Sequence, residues 1–299
     1  MPRAFLALLL LFSPPAFAQG GPQLLVTPSQ LNSELRDPRL VLLYIGPKED
    51  YAAGHIAGAR FVDLMSVSTP QSHPLALELP DDSTLRRTLE ALGVSDNSRI
   101  VVAFGANWVS IGTRLVLTLQ AAGLGAQTRM LDGGTRAWKR AGLSLTTAEP
   151  SAPAPGRLNA SMDHSLIVDH RWMQANAASP RVRLIDARAP MFYDGPSMEM
   201  QGRKLEPGHI AGAQNIPFNS LSDDSLQFFP VDELRRRFAA AGVQPGDTVA
   251  AYCHIGQQAT VVVFAARLLG HPVRLYDGSM DDWEKRKLPL ENSKKPESK

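Results

Sequence analysis

The sequence predicts an α/β protein of two similar domains, each a mostly parallel sheet flanked by helices. Short β-branched runs alternate with segments whose apolar residues recur at helical spacing, which is typical of parallel sheets with helical crossovers. The chain also repeats itself, since GHIAGAR at 54–60 returns as GHIAGAQ at 208–214 and LDGGTRAW at 131–138 returns as YDGSMDDW at 276–283. Matched segments in the same order indicate two copies of one architecture.

The boundaries between the copies follow from composition. The segment TTAEPSAPAPG at 146–156 is rich in Ala, Pro and Ser, as is typical of an exposed linker. We therefore expect a first domain over 22–145, a linker over 146–160 and a second domain over 161–290. The charged tail at 291–299 is expected to be disordered.

The second copy shows the element pattern most clearly. The continuous apolar runs RVRLID and TVAAY, at 181–186 and 248–252, predict buried parallel strands. The segment VDELRRRFAAAG at 231–242 predicts a helix that ends at its glycine. A second helix is predicted over 257–269 by one apolar stripe, formed by Ala259, Val262, Val263, Ala266 and Leu269.

The first 18 residues have the features of a secretory signal peptide. Arg3 precedes an apolar segment from Ala4 to Phe12, and Ala16-Phe17-Ala18 forms a small-residue cleavage site. We expect cleavage after Ala18 and an exported, periplasmic protein. A segment this short cannot span a hydrocarbon core of about 30 Å, and no later segment is expected to cross a membrane.

Composition limits the class of partner. The 299 residues are 44% hydrophobic and 20% charged, as in a globular protein, and the formal net charge is +2. Acidic and basic residues are interleaved, so no basic stripe for nucleic acid is present. We expect a monomer that acts on small molecules and binds neither nucleic acid nor membranes.

Cys253 is the only cysteine of the chain. A lone thiol cannot form a disulfide within the chain, so it is either an inert buried side chain or a reactive group. The TVAAY strand brings Cys253 to a carboxyl strand end, where open parallel sheets bind ligands. The loop from His254 to Gln258 would direct N–H groups and a helix N-terminus at the sulfur.

The loop should decide the ionisation of this thiol. Half-ionising a thiol of ordinary pKa at pH 7 needs roughly 2 kcal/mol. A helix dipole supplies only about 0.3–1 kcal/mol, whereas each charge-assisted N–H bond supplies about 1.5–3 kcal/mol. We therefore expect the loop amides to lower the pKa of Cys253.

With these segments in place, the sequence resembles the tandem-domain rhodanese sulfurtransferases over the mature chain except its linker and tail. The residues that carry the resemblance are Asp186-Ala187-Arg188, GHIAGA at 208–213, YCHIGQQA at 252–259, and YDGS at 276–279 with Trp283. The order and spacing of these motifs make the resemblance specific. It implies two rhodanese-like domains, of which the second is catalytic.

The resemblance also implies a reaction. The Cys253 thiolate would attack the outer sulfur of a small anionic donor such as thiosulfate, sulfite would leave, and cyanide or a thiol would take the sulfur from the Cys253 persulfide. Arg188 matches the arginine that binds the donor, and Asp186 matches a carboxylate that shapes the pocket; a surface salt bridge is the alternative for both. The residues expected to surround the persulfide are His254, Ile255, Gly256, Gln257, Gln258 and Ala259.

The first copy lacks this chemistry. Tyr44 stands where Asp186 does, Gly46 where Arg188 does, and Gly105 replaces the cysteine. The first domain should therefore fold without transferring sulfur, and the resemblance implies that it walls one side of the cleft. Trp108 could belong to that wall, although ordinary packing is the favoured interpretation.

The donor is the least determined part of the interpretation. Thiosulfate is favoured over 3-mercaptopyruvate, but the loop sequence His-Ile-Gly-Gln-Gln matches neither type of relative. Arg203 and Lys204 precede GHIAGA and are further candidates for donor binding.

Other classes remain possible alternatives. A phosphatase of this fold would need an arginine in the loop, and residues 254–260 contain none. A non-enzymatic exported sulfur carrier or redox sensor stays open. His55 and His209 recur in both copies and are expected to be structural, and without a CxxC or HxxxH motif neither a metal nor a cofactor is expected.

Overall fold

Two five-stranded parallel sheets with the same strand order form the framework of the chain, in a computed structural model that describes residues 23–70, 72–75, 77–105, 108–200, 203–205 and 207–292. The predicted α/β fold class, with two helix-flanked parallel sheets, is confirmed. The predicted signal peptide at 1–18 lies outside the described residues, as do positions 293–299 of the predicted tail.

The first sheet has the order β1-β5-β4-β2-β3. Its strands are β1 Leu25–Val26, β2 Leu40–Ile45, β3 Arg60–Val62, β4 Arg99–Phe104 and β5 Thr128–Leu131. The helices of this half are α1 Pro28–Glu34, α2 Lys48–Ala53, α3 Asp82–Ala91, α4 Val109–Leu119 and α5 Gly134–Arg140.

The second sheet repeats this order as β6-β12-β11-β7-β10, and β8 and β9 form a separate antiparallel pair. The strands are β6 Ile167–Val168, β7 Val182–Asp186, β8 Met198–Met200, β9 Arg203–Leu205, β10 Gln214–Asn215, β11 Thr248–Tyr252 and β12 Val273–Tyr276. The helices are α6 His170–Asn176, α7 Pro190–Asp194, α8 Val231–Ala240, α9 Ala259–Leu268 and α10 Ser279–Lys285.

The two copies also share local devices. Thr27 caps α1 by accepting a hydrogen bond from the Gln30 amide, and Asp169 caps α6 by accepting one from the Trp172 amide. The two GHIAGA histidines stack on tyrosines, with ring centroids 3.9 Å apart in both His55–Tyr51 and His209–Tyr193. The same contact in both copies confirms the structural role predicted for these histidines.

The domains meet through two helices that follow the central strands. Helix α4 packs on helix α9, and a buried Thr113 Oγ1 to Thr260 Oγ1 hydrogen bond of 2.7 Å joins them. Every residue of α9 from Ala259 to Ala266 is buried. The predicted single apolar stripe is therefore too narrow, because α9 lies between its own sheet and the helix of the other domain.

One helical segment is long and apolar enough for a membrane span, although the sequence predicted no such segment after residue 18. The stretch Val109–Gln127 is long and apolar enough to cross a membrane, with a mean hydropathy of 1.2. However, 72% of it is buried inside the protein, where α4 contacts β4, β5 and α9. Its apolar composition is explained by burial between two domains.

The linker is bound to the first domain over much of its length. Thr146 pairs with His55 in an isolated β-bridge, the Gly156 amide donates to Glu90 O at 2.7 Å, and Leu158 is buried. At the other end, Glu291 forms the corresponding bridge with His209. The first residue of the predicted disordered tail therefore belongs to the second domain.

Candidate functional site

Cys253 lies directly after β11, the strand between β7 and β12. Its side chain is completely buried. The Cys253 amide donates to Ser279 Oγ at 3.0 Å, and the Met280 amide donates to the Cys253 carbonyl at 3.1 Å. The start of α10 thus fixes the backbone of the cysteine, and the loop over 254–258 leads into α9.

Four loop amides surround the sulfur. They belong to Ala259, Ile255, Gln258 and Gly256, and each favours the thiolate. Burial acts in the opposite direction and is the larger effect, so the pKa of the Cys253 thiol is raised. The predicted lowering of this pKa is therefore wrong, because the cost of burying the thiolate outweighs the four amide hydrogen bonds to it.

Gly256 allows the loop to close around the sulfur. Its φ of +84° lies in the left-handed region, and a Cβ at this position would meet the Asp277 carbonyl oxygen at 2.5 Å. Asp277 is held in turn by Arg114 of the first domain, through Arg114 Nη1 to Asp277 Oδ1 and through a 3.1 Å contact from Nη2 to Oδ2. The loop around Cys253 therefore packs against Asp277, whose carboxylate is bound by Arg114 of the first domain.

Asp186 and Arg188 bind each other. Arg188 Nε lies 3.0 Å from Asp186 Oδ1, and Arg188 Nη2 lies 2.6 Å from both Asp186 Oδ2 and the Gly208 carbonyl oxygen. Both side chains are buried, so the surface salt bridge considered from the sequence is wrong. Burial opposes the guanidinium charge, yet the bond to Asp186 raises the pKa of Arg188. Donor binding by Arg188 stays a prediction.

A cleft of about 650 Å³ lies between the domains beside the loop. The second domain contributes four of the predicted loop residues, and the first contributes apolar and small residues. The described lining consists of Gly46, Pro47, Leu64, Gly105, Trp108, Ser110, Ile111, His254, Ile255, Gln257 and Gln258. None of these side chains carries a formal charge when His254 is neutral.

His254 stays neutral in this setting. Burial, followed by the nearby Arg188 charge, lowers the pKa of His254 to about 4. Its ring packs edge-on against Phe192 with a centroid distance of 4.7 Å. His254 therefore presents an uncharged ring beside the cleft.

Trp108 belongs to the cleft wall, so the favoured interpretation of ordinary packing is wrong. Its side chain is 56% exposed at the start of α4. It lies nearly parallel to Phe218 of the second domain, with centroids 6.5 Å apart. The position at a helix start beside the cleft explains why an aromatic residue remains uncovered.

The first copy differs from the prediction in one position. In the first sheet Tyr44 pairs with Ala103, and in the second sheet Asp186 pairs with Tyr252 in the same way. Ala103 therefore corresponds to Tyr252, and the residue after Ala103, Phe104, corresponds to Cys253. Phe104 and Cys253 also belong to the same core cluster. The predicted equivalence with Gly105 is therefore wrong by one residue, and a fully buried phenyl ring fills the place of the sulfur.

Sequence reasoning missed two groups that support the site. Ser279, which accepts from the Cys253 amide, has a φ of +51°, and its counterpart Gly134 has a φ of +54°. The repeated DGG and DGS motifs carried that signal. No sequence motif marks Arg114 as a site residue, because its partner Asp277 is 163 residues away in the chain. Among the described residues, no group of three or more His, Cys, Asp or Glu side chains could hold a metal ion.

Comparisons with known proteins agree with this geometry. The family model of the Rhodanese-like domain matches residues 27–141 and again residues 169–286. The chain is 34% identical to a probable 3-mercaptopyruvate sulfurtransferase of Pseudomonas aeruginosa, over 87% of this chain and 94% of that protein. It is 32% identical to thiosulfate sulfurtransferase of Bos taurus, over 81% of each chain.

Solved structures show the same arrangement. The crystal structure of SseA from Escherichia coli, described as a 3-mercaptopyruvate sulfotransferase, is 27% identical with a TM-score of 0.72 and covers 86% of this chain and 98% of that one. The crystal structure of YnjE is 22% identical with a TM-score of 0.79, covers 91% of this chain and 69% of that one, and is similar in fold.

Proposed function

The chain belongs to the rhodanese-like domain family, and on that premise we propose that it is a sulfurtransferase that moves the outer sulfur of thiosulfate through a Cys253 persulfide. The observation that carries the proposal is the convergence of four loop amides on the single thiol at a strand end. Relatives with 32–34% identity are named as sulfurtransferases.

The geometry supports a two-step reaction. In the first step the Cys253 sulfur attacks the outer sulfur of the donor, the sulfur–sulfur bond of thiosulfate breaks, and sulfite leaves with the bonding electrons. Because burial raises the pKa of the thiol, its proton must leave before or during this attack, and the departing sulfite takes it up as hydrogen sulfite. The amides of Ile255, Gly256, Gln258 and Ala259 are placed to stabilise the resulting persulfide anion.

The short reach of the loop amides, rather than the net charge of the cleft, favours thiosulfate as the donor over 3-mercaptopyruvate. Thiosulfate is compact, so the loop amides can bind the sulfur and oxygens of one small anion. The carboxylate of 3-mercaptopyruvate would need a second anion-binding group, and none of the described lining side chains carries a positive charge when His254 is neutral. The relatives include enzymes named for each donor.

Intact-mass analysis of the reduced protein tests the proposal. After incubation with thiosulfate we expect the wild type to gain the mass of one sulfur atom, and Cys253→Ser to gain none. Steady-state comparison of kcat/KM for thiosulfate and 3-mercaptopyruvate, with Cys253→Ala as the blank, identifies the donor. A wild type that gains no sulfur from either compound would exclude sulfur transfer and leave the carrier or sensor alternatives.

A further inference from the structure

The cleft is larger and more apolar than a small inorganic donor requires. Thiosulfate has only five heavy atoms, whereas the cleft holds about 650 Å³. Leu64, Trp108 and Ile111 from the first domain and Ile255 from the second give it an apolar lining. Such a surface is suited to an organic group, and the reaction has a second substrate that must reach the same sulfur.

Charge also argues against recognition of an anionic partner by this wall. The charge of Arg188 is paired with that of Asp186 through a two-point contact, and burial holds the pKa of His254 at about 4. Gln257 and Gln258 are the polar loop side chains of the lining, and Gln257 Nε2 contacts Ser110 Oγ at 3.4 Å. The described wall therefore offers apolar area and neutral hydrogen-bonding groups.

Trp108 gives this wall a specific binding element. More than half of its side chain is exposed, although the protein contains a neighbouring aromatic ring, Phe218, on which it stacks. An exposed indole beside a reactive loop can receive an aromatic or aliphatic group by stacking, a contact worth roughly 0.5–1.5 kcal/mol beyond the buried area. The indole comes from the inactive domain, which thereby contributes to the reaction of the active one.

We propose that the sulfur acceptor is a neutral thiol with an apolar or aromatic substituent, which binds in the cleft against Trp108. This inference rests on the proposed function, because it concerns the second half of the same reaction. The neutral acceptor thiol gives up its proton as its sulfur attacks the outer sulfur of the Cys253 persulfide anion, the sulfur–sulfur bond breaks, and the Cys253 thiolate leaves with the bonding electrons. The released proton is taken up by the transferred sulfur, so the acceptor departs as an organic hydropersulfide and no oxidant or reductant is consumed.

Single-turnover discharge of the loaded enzyme tests this inference. The full-length protein is loaded with thiosulfate, freed of donor and mixed with one of three thiols, namely benzyl mercaptan, 2-mercaptoethanol or 3-mercaptopropionate. Loss of the persulfide is followed by intact mass, and each rate is corrected for the reactivity of that thiol with a small-molecule persulfide. We expect benzyl mercaptan to discharge the wild type roughly three- to tenfold faster than 2-mercaptoethanol after this correction.

Two variants make the test specific. Trp108→Ala should reduce the preference for benzyl mercaptan to within about twofold of unity, whereas Val231→Ala, which removes another exposed apolar side chain outside the cleft, should retain it. Equal corrected rates in the wild type, an unchanged preference in Trp108→Ala, or fastest discharge by the anionic thiol would each overturn the inference. Failure to load with thiosulfate would instead contradict the proposed function, so the two failures are distinguishable.

Discussion

Replacing Arg114 with methionine should destabilise the protein strongly. Arg114 and Asp277 are 1% and 2% exposed, and they come from different domains. Methionine keeps much of the side-chain length but leaves the Asp277 carboxylate buried without its counter-charge. Breaking a buried ion pair in this way costs about 3–5 kcal/mol. Because the Leu79 amide still donates to Asp277 Oδ2 at 2.8 Å, we expect the lower end of that range, about 3 kcal/mol.

Urea unfolding followed by tryptophan fluorescence measures this effect. With a denaturant slope of about 1–3 kcal/mol per molar, the midpoint should fall by about 1 M or more. Arg235→Met is the matched control, because Arg235 and its partner Asp232 are 63% and 80% exposed. Breaking that surface pair should change the free energy of unfolding by at most about 0.5 kcal/mol.

A double variant separates loss of the pair from loss of packing. Arg114→Met combined with Asp277→Asn removes the stranded charge, so it should be more stable than Arg114→Met alone. If Arg114→Met loses less than about 1 kcal/mol, or the double variant is the less stable of the two, the reasoning from a buried charge is refuted.

Three further outcomes follow from the same geometry. Gly256→Ala should lower kcat/KM for thiosulfate and destabilise by more than about 1 kcal/mol, whereas Gly242→Ala, with a φ of +75° and open space around its Cβ, should cost less and leave activity unchanged. NMR titration of His254 should give a midpoint near pH 4, because burial disfavours its charged form; a midpoint near 6.5 would contradict the burial of this ring. Burial, followed by the Asp277 charge, raises the pKa of Glu78 from 4.5 to about 7, so the folded protein retains a proton that the unfolded chain has released in that window. Wild-type stability should therefore fall as pH rises from about 4.5 to 7, and thermal melts of Glu78→Gln should lack this loss relative to the wild type.

Local sequence signals predicted most of the framework. The internal repeat, the apolar runs before Asp186 and Cys253, and the helical pattern after Gln257 depend on neighbouring residues, so they could be recognised without a structure. The same signals placed the lone thiol at a strand end, with a helix behind it. These signals could not show that α9 is buried on nearly all sides, because one of its faces packs against α4 of the other domain.

From the residues alone we predict two copies of one α/β unit, a single cysteine in the second copy, and a loop with neither arginine nor lysine around it. The folded chain was needed to show that Arg188 binds Asp186, that Phe104 fills the place of the sulfur in the first copy, and that Trp108 is exposed beside the loop. Arg188 is fixed by the Gly208 carbonyl oxygen as well as by Asp186, the position of Phe104 follows from the pairing of β4 with β2, and Trp108 stacks on Phe218 of the other domain. Each of these contacts joins segments that are distant in the chain, so no local pattern encodes them.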